Sequence, residues 1–374
     1  MKYFLICGEA SGDLHSSNLI KELKVQDPDA EIWAWGGKLC QEAGATVLKD
    51  YGDIAVMGFA AVIANLFKFK RLIQECADKI EEIKPDAVIF VDFSGFNMRV
   101  AEKIRPRLPN TKLLYYIVPK VWAWNQGRVK KMAKILDYLY VILPFEQKFF
   151  TDHGCKATYV GNSVKDALRG LTKDPDFKKK YNIVTDKPLL ALLPGSRKGQ
   201  ILNCLNPYLQ AADLLKDKYY PVVAATSQFS DEYYQQYAPE GVNFSLVREN
   251  TYQLLLNSEA AIVTSGTASL ETALLKVPQV MCYKTSNFNY FIAKSLLKIP
   301  WIGLVNLIAN KEVLRERIQK DMSPEKIAAE LSRVKDGGVG EQTLMQDYEA
   351  IDQLLGDSPA SYNTANAIVS LLKH

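Results

Sequence analysis

The stretch that most restricts what this chain can fold into is AVIFVDFSGFN, residues 87–97. Val88 to Val91 form an unbroken apolar run rich in β-branched residues, and the run ends directly on a carboxylate, Asp92. A continuous run of this kind predicts a strand buried on both faces, hence a parallel sheet covered by helices. In open parallel sheets, ligands bind beyond the carboxyl ends of the strands. Asp92 stands at such an end, and two readings are open from these residues: it caps the following helix, or it does chemistry.

The same step recurs along the chain. Tyr3–Cys7 runs into Gly8-Glu9-Ala10-Ser11-Gly12-Asp13, and a helix is expected from about Leu14 to Leu23. Glu31–Trp35 ends at Gly36-Gly37, and Ala45–Leu48 reads as a further short strand. Lys112–Val118 ends at Pro119, Leu136–Leu143 at Pro144, and Tyr159-Val160 at Gly161-Asn162. Strands alternating with helices, each strand ending in Gly, Asp or Pro, predict a doubly wound α/β domain. After a charged stretch from Leu168 to Thr185 the pattern restarts, with strands expected at Pro188–Leu193, Tyr220–Ala225, Ala260–Val263 and Gln279–Tyr283. Residues 324–373 read as helical, broken at Gly337-Gly338. At 374 residues the chain exceeds one ordinary core. The expected layout is residues 1–170, residues 171–345, and a C-terminal helical piece, 346–374, able to pack back on the first domain.

Composition excludes several classes. The net charge of +4 gives no ground for a nucleic-acid partner. The six cysteines (7, 40, 76, 155, 204, 282) form no C-x-x-C pair, and there are only three histidines. A disulfide scaffold and a structural zinc site are therefore not expected, and a reducing cytoplasm fits. The N-terminus turns polar after seven residues, which reads as a first strand and not as a signal peptide. No apolar run approaches the roughly 20 residues of a membrane span.

Two segments stand apart. Residues 54–73, IAVMGFAAVIANLFKFKRLI, place Phe59, Val62, Ile63, Leu66, Phe67 and Phe69 over more than one helical face, then add Lys68, Lys70 and Arg71. The segment reads as a buried core helix or as one lying in a membrane interface. VWAWNQGRVKKMAK, 121–134, joins Trp122 and Trp124 to Arg128, Lys130, Lys131 and Lys134, a pattern suited to a sugar or phosphate pocket, to a single nucleic-acid strand, or to a solvated helix face.

Two turns of the second half carry the most specific chemistry. LLPGSR brings Gly195, Ser196 and Arg197 to a strand end, where a guanidinium can grip a diphosphate with two parallel hydrogen bonds. SGTASLE sets Ser265, Gly266, Thr267 and Ser269 at the mouth of a helix, with Glu271 a turn further in as an acceptor for ribose hydroxyls. Each alone is an ordinary helix start; two in one domain, each after an apolar strand, point to a nucleoside diphosphate. The first Gly-rich turn has neither the dinucleotide nor the Walker pattern.

Taken in order, GEASGD (8–13), GG (36–37), VMGF (56–59), DFSGFN (92–97), YYIVPKVWAW (115–124), LPFE (143–146), LPGSR (193–197) and SGTASLE (265–271) resemble the lipid A disaccharide synthase family over most of the chain. The resemblance implies a glycosyltransferase of two facing doubly wound, Rossmann-like domains (the GT-B type) with the active site in the cleft between them. It implies transfer of 2,3-diacylglucosamine from its UDP derivative to the 6-hydroxyl of 2,3-diacylglucosamine 1-phosphate (lipid X), with inversion at the anomeric carbon and UDP as leaving group. It makes Asp92 the favoured base, with Glu9 in reserve, and calls for no metal and no cofactor. It assigns UDP-sugar binding to Gly195, Ser196, Arg197, Ser265, Gly266, Thr267, Ser269, Glu271, Glu316 and Gln319. It assigns the acceptor side to Ser11, Gly12, Asp13, Gly36, Gly37, Asn97, Trp122 and Asn125. Acyl chains or the inner leaflet would meet Phe59, Val62, Ile63, Leu66, Phe67 and Phe69, on a monomer or homodimer peripheral to the cytoplasmic membrane. The chain departs from the family pattern at Ser94 (usually proline), near Ala61 (usually acidic), at Asn162 (usually histidine), at Gln200 (usually glutamate) and at Arg315 (usually proline). The competing readings are another two-domain enzyme of UDP-N-acetylglucosamine, transferase or epimerase, and a non-catalytic lipid- or nucleotide-binding protein on the same scaffold.

Overall fold

The computed structural model describes residues 1–55, 66–286, 290–291, 299–335 and 337–373. The chain forms two compact units, Met1–Asp166 with Gly356–His374, and Ala167–Leu355.

The first unit is built on seven strands: β1 (Lys2–Ile6), β2 (Glu31–Gly36), β3 (Thr46–Asp50), β4 (Ala87–Val91), β5 (Lys112–Tyr116), β6 (Tyr138–Val141) and β7 (Ala157–Tyr159). Their order is β3-β2-β1-β4-β5-β6-β7, and every pairing is parallel. All five residues of β4 are buried, as the unbroken apolar run requires of a strand covered on both faces, while β3 at the edge has none. The chain runs outward from β1 through β2 to β3, then returns to lay β4 on the other side of β1. The order therefore reverses between β1 and β4, and this is where the loops after the two strands part and leave a crevice. The last helix, Ala360–Lys373, closes one face by packing against the helix Ala10–Gln26, and Ala365, Ile368 and Val369 share a core with Leu19, Ile20 and Leu23.

The second unit repeats the plan with β8 (Leu189–Leu193), β9 (Tyr220–Ala225), β10 (Ser245–Arg248), β11 (Ser258–Thr264), β12 (Gln279–Tyr283) and β13 (Arg317–Ile318). The order is β10-β9-β8-β11-β12-β13, again parallel, and it reverses between β8 and β11. Two of these strands escaped the sequence pattern. β10 buries one residue of four and β13 has two residues in all, so neither carries a hydrophobic signature.

Other differences are local. The first helix starts at Ala10, so Ser11, Gly12 and Asp13 form its first turn and are not part of an open loop. Leu66–Ile83 is one helix, which continues from the end of the apolar 54–73 segment through the more polar stretch 74–83. Phe59, Val62 and Ile63 lie outside the described residues, as does the side chain of Leu66. Among the described residues no helix is long and apolar enough to cross a membrane.

Candidate active site

In the first unit, the carboxyl ends of β1 and β4 bring Glu9 and Asp92 to the same reversal point of the sheet. The backbone at Asp92 is unusual. Asp92 and Phe93 both have φ of +47°, a left-handed conformation that costs a non-glycine residue roughly 1–2 kcal/mol. The surroundings hold it there. The Asp92 carbonyl oxygen accepts the Tyr115 hydroxyl at 2.5 Å and Asn97 Nδ2 at 2.8 Å. The Asp92 N–H donates to the Tyr116 carbonyl at 3.3 Å. Each such bond is worth about 1 kcal/mol net, so together they offset the strain of the two residues. Burial, and then the Asp92 charge, raise the Tyr115 pKa well above the ordinary tyrosine range, which keeps its hydroxyl a donor.

Phe93 completes the turn. Its ring lies over Gly8, where an added Cβ would come within 2.3 Å of the ring. The glycine after β1 therefore admits the residue after β4, and the two strand ends are locked together. Phe93, not Asp92, occupies the N-cap of the helix Ser94–Ile104. Asp92 thus stands one residue before the N-cap position. The side chain of Asp92 is exposed, as is that of Glu9.

Several residues expected to touch the acceptor make hydrogen bonds or close contacts within the fold. Asn97 is wholly buried, and its Nδ2 reaches the carbonyls of Ile6, Val91 and Asp92, tying β1 to β4. Asp13 is 3% exposed and accepts from the N–H groups of Gly37 (2.7 Å), Leu39 (3.1 Å) and Cys40 (3.2 Å). It caps the short helix Lys38–Glu42, whose own N-cap, Gly37, has no side chain to do so. Gly12 and Gly36 are close-packed positions, with an added Cβ within 3.0 Å of Cys7 and Cys40 atoms respectively. Ser11 is exposed on the first turn of its helix, and Asn125 ends the short helix Val121–Trp124.

Trp122 is buried and donates through Nε1 to Glu146 Oε1 at 2.9 Å. The other Glu146 oxygen accepts the Leu143 N–H at 3.1 Å, so LPFE is a helix start capped from its third position. Burial pushes the Glu146 carboxyl up to about 7, against the Trp122 and Leu143 bonds and the Lys120 charge. Part of the Lys120 side chain is exposed, yet crowding by protein atoms lowers the pKa of its ammonium, opposed by the charges of Glu146 and Asp92. Lys120 is thus a cation within electrostatic reach of the Asp92 carboxylate. Sequence reasoning missed Tyr115, Lys120 and Glu146, although all three lie inside quoted motifs. Nearby, Ser94, Arg128 and Lys131 line a small cavity of about 50 Å³. Arg128 also stacks over Trp124, and Lys131 pairs with Glu102 at 2.6 Å. A larger groove of about 1110 Å³ lies at the opposite end of the strands, among Met1, Asp86, Lys112 and Tyr138 at the strand starts, away from these groups.

In the second unit the two turns LPGSR and SGTASLE follow β8 and β11, the paired strands at the reversal point. Gly195 has φ of +98°, and an added Cβ would meet Gln200 Oε1 at 2.6 Å. Gln200 folds back beneath the turn and accepts the Arg197 N–H at 3.2 Å, so the amide caps the helix Lys198–Asp213 in place of the carboxylate usual at this position. Ser196 and Arg197 are exposed at the tip. Thr267 opens the helix Thr267–Leu274 and is exposed, with Ser265 and Gly266 half-buried before it. Ser269 is fully buried, and its hydroxyl donates to the Gly266 carbonyl at 2.8 Å. Glu271 receives the Tyr252 hydroxyl at 3.3 Å, and burial raises its pKa despite that bond.

Glu316 and Gln319 likewise turn inward. Glu316 accepts from the N–H groups of Ile302 (3.0 Å) and Gly303 (2.9 Å) and from Asn306 Nδ2 (3.2 Å), capping the helix Leu304–Ala309. Gln319 exchanges two hydrogen bonds with the Thr285 backbone, at 2.8 and 3.1 Å. Both side chains hold the loop after β12 and the segment before that helix. On the helix Leu66–Ile83, Phe67 is 89% exposed, but Phe69 is 6% exposed, packed edge-on to Phe96 and beneath Arg99. Phe69 is a core residue and not an acyl contact. The helix turns Phe69, Leu72 and Ile73 to the core, and Phe67, Lys68, Lys70 and Arg71 outward.

Comparison with known proteins fits this geometry. The model of the lipid-A-disaccharide synthetase family matches residues 3–366. The lipid-A-disaccharide synthase of Myxococcus xanthus is 32% identical over 375 residues, covering 99% of this chain and 97% of the relative. That of Coxiella burnetii is 30% identical over 373 residues, covering 98% of each. Among solved structures, UDP-GlcNAc 2-epimerase from Neisseria meningitidis superposes with a TM-score of 0.65 over all of both chains at 12% identity. A glycosyltransferase from Rickettsia africae does so with 0.59 at 13% identity, covering 100% of this chain and 97% of its own. At these identities the structures establish the α/β fold of Rossmann-like domains and nothing about substrates. The match in sequence along the whole chain goes further: the chain belongs to the lipid-A-disaccharide synthetase family, and its function is the synthesis of the lipid A disaccharide.

Proposed function

We propose that Asp92 is the general base of a metal-independent, inverting transfer between UDP-2,3-diacylglucosamine and 2,3-diacylglucosamine 1-phosphate. The observation that carries this reading is the left-handed backbone at Asp92, which three hydrogen bonds hold at the reversal point of the first sheet. Non-glycine strain of this kind gathers where geometry serves chemistry. In a single displacement, the acceptor 6-hydroxyl attacks the anomeric carbon as Asp92 takes its proton. The bond to UDP breaks, and the diphosphate carries away the electron pair. Arg197 and the amides around Thr267 stabilise that charge, and Glu271, steadied by Tyr252, accepts from the ribose hydroxyls. The cavity among Ser94, Arg128 and Lys131 offers the acceptor phosphate the Arg128 guanidinium and the first turn of the helix Ser94–Ile104, while Glu102, which also lines it, pairs with Lys131.

The exposed Phe67 among Lys68, Lys70 and Arg71 supports contact with an anionic bilayer surface, where acylated substrates reside. The decisive experiment supplies both acylated substrates to the parent protein and to Asp92→Asn. The expected result is UDP and a disaccharide phosphate from the parent, and turnover reduced about 10³-fold in the variant with UDP affinity unchanged, in line with loss of a general base. Full turnover in Asp92→Asn removes Asp92 from the role, and product formed only from unacylated sugars overturns the substrate reading.

A further inference from the structure

The sequence spacing gives no metal site, because no two cysteines stand close along the chain. The fold changes that. Cys7 directly follows β1, Asp13 lies in the first turn of the helix Ala10–Gln26, and Cys40 lies in the helix Lys38–Glu42. The two sulfurs and a carboxylate oxygen come within 4.8 Å of one another, all three residues buried. We propose that Cys7, Asp13 and Cys40 form a binding site for a soft or borderline divalent cation of the zinc and cadmium class, distinct from the transferase site and resting on geometry alone.

The donor set suits that class, since thiolates select such ions over magnesium or calcium. A tetrahedral zinc ion with bonds of about 2.0–2.3 Å keeps its ligand atoms roughly 3.5–3.8 Å apart, so the cluster needs a contraction of at most about 1 Å. Asp13 is already oriented: three backbone N–H groups hold its carboxylate, the outer-shell support that ligating carboxylates have in metal sites. The carbonyls of Trp35 and Asp13, each 3.7 Å from one of the sulfurs, stand by as a fourth donor. Room for sulfur comes from glycine: an added Cβ at Gly36 would fall 3.0 Å from Cys40 Sγ and 3.4 Å from Cys7 Sγ. On binding, both thiols lose their protons to solvent and the cation takes two thiolates and one carboxylate. The ion would join the end of β1, the first helix and the turn after β2, and so stiffen the turn that carries Glu9.

The test is equilibration of the reduced full-length protein with Cd²⁺ at increasing concentration, followed by thiolate-to-metal charge-transfer absorbance and bound metal per chain. One equivalent with a charge-transfer band is expected, lost in Cys7→Ser and in Cys40→Ser but kept in Cys204→Ser of the other unit. X-ray absorption on the parent protein, which needs no variant to fold, should read two sulfur neighbours about the cadmium. The proposal is overturned by absence of stoichiometric uptake, by a band that persists without Cys7 or Cys40, by a sulfur count other than two, or by loss of the two thiols to a disulfide without metal.

Discussion

The Tyr115 hydroxyl and the Asp92 carbonyl oxygen lie 2.5 Å apart, so a tyrosine on β5 holds the backbone of the residue that follows β4. The bond acts on the main chain, and it leaves the Asp92 carboxylate to point where the left-handed turn directs it. Tyr115→Phe keeps the ring and removes only that bond. We expect kcat to fall roughly 10-fold with KM little changed, and stability to fall by about 1 kcal/mol. Steady-state kinetics and denaturant unfolding measure both, and an unchanged kcat means Asp92 needs no such support.

Glu146 sets a pH dependence of stability. Its carboxyl titrates at about 7 in the folded protein, above its ordinary value of 4.5, because burial outweighs the Trp122 and Leu143 bonds. Below about 4.5 it is protonated whether folded or unfolded and contributes no pH-dependent term. As pH rises from there through about 7, the unfolded chain ionises first and stability declines. Glu146→Gln should flatten the fall in Tm between those pH values. An equally steep profile in the variant assigns the slope to other groups.

Arg197 is expected to hold the leaving diphosphate. Arg197→Ala should weaken UDP binding by about 10- to 100-fold, the range of a charged hydrogen bond. Arg197→Lys should recover only part of it, since an ammonium cannot reproduce the two-pronged guanidinium geometry. Calorimetric titration with UDP decides this, and equal affinity in the alanine variant excludes the residue from the site.

Phe67 and Phe69 make a matched pair two positions apart. Phe67→Ser should leave Tm unchanged and reduce sedimentation with anionic phospholipid vesicles. Phe69→Ser should cost roughly 3–5 kcal/mol of stability, as for other large core truncations. If Phe67→Ser sediments like the parent, the exposed ring has no part in membrane contact.

What could be read from the chain differs between backbone and site. Short apolar runs ending in Gly, Asp or Pro identified the parallel α/β class, because strands buried on both faces must be continuously apolar. They missed β10 and β13, which lie at sheet edges and bury little. Motif matching named loops, and the structure adds what each side chain in them touches. Asp13, Asn97, Ser269, Glu316 and Gln319 look like ligand contacts in a string of letters, and each side chain is hydrogen-bonded to a backbone group. Whether a polar residue serves the fold or a ligand depends on which way its side chain points, and no local pattern encodes that.

The sequence by itself determined that this chain makes two doubly wound units and that AVIFVDFSGFN delivers a carboxylate to the end of a buried strand. Apolar continuity and turn chemistry are local properties, so they survive in one dimension. Tertiary structure alone decided that β1 adjoins β4 and β8 adjoins β11. Those pairings put Gly8 beneath Phe93, Tyr115 against Asp92, and the two turns LPGSR and SGTASLE on neighbouring strands. They join residues distant along the chain, and hydrogen bonding and close packing across the sheet bring them together.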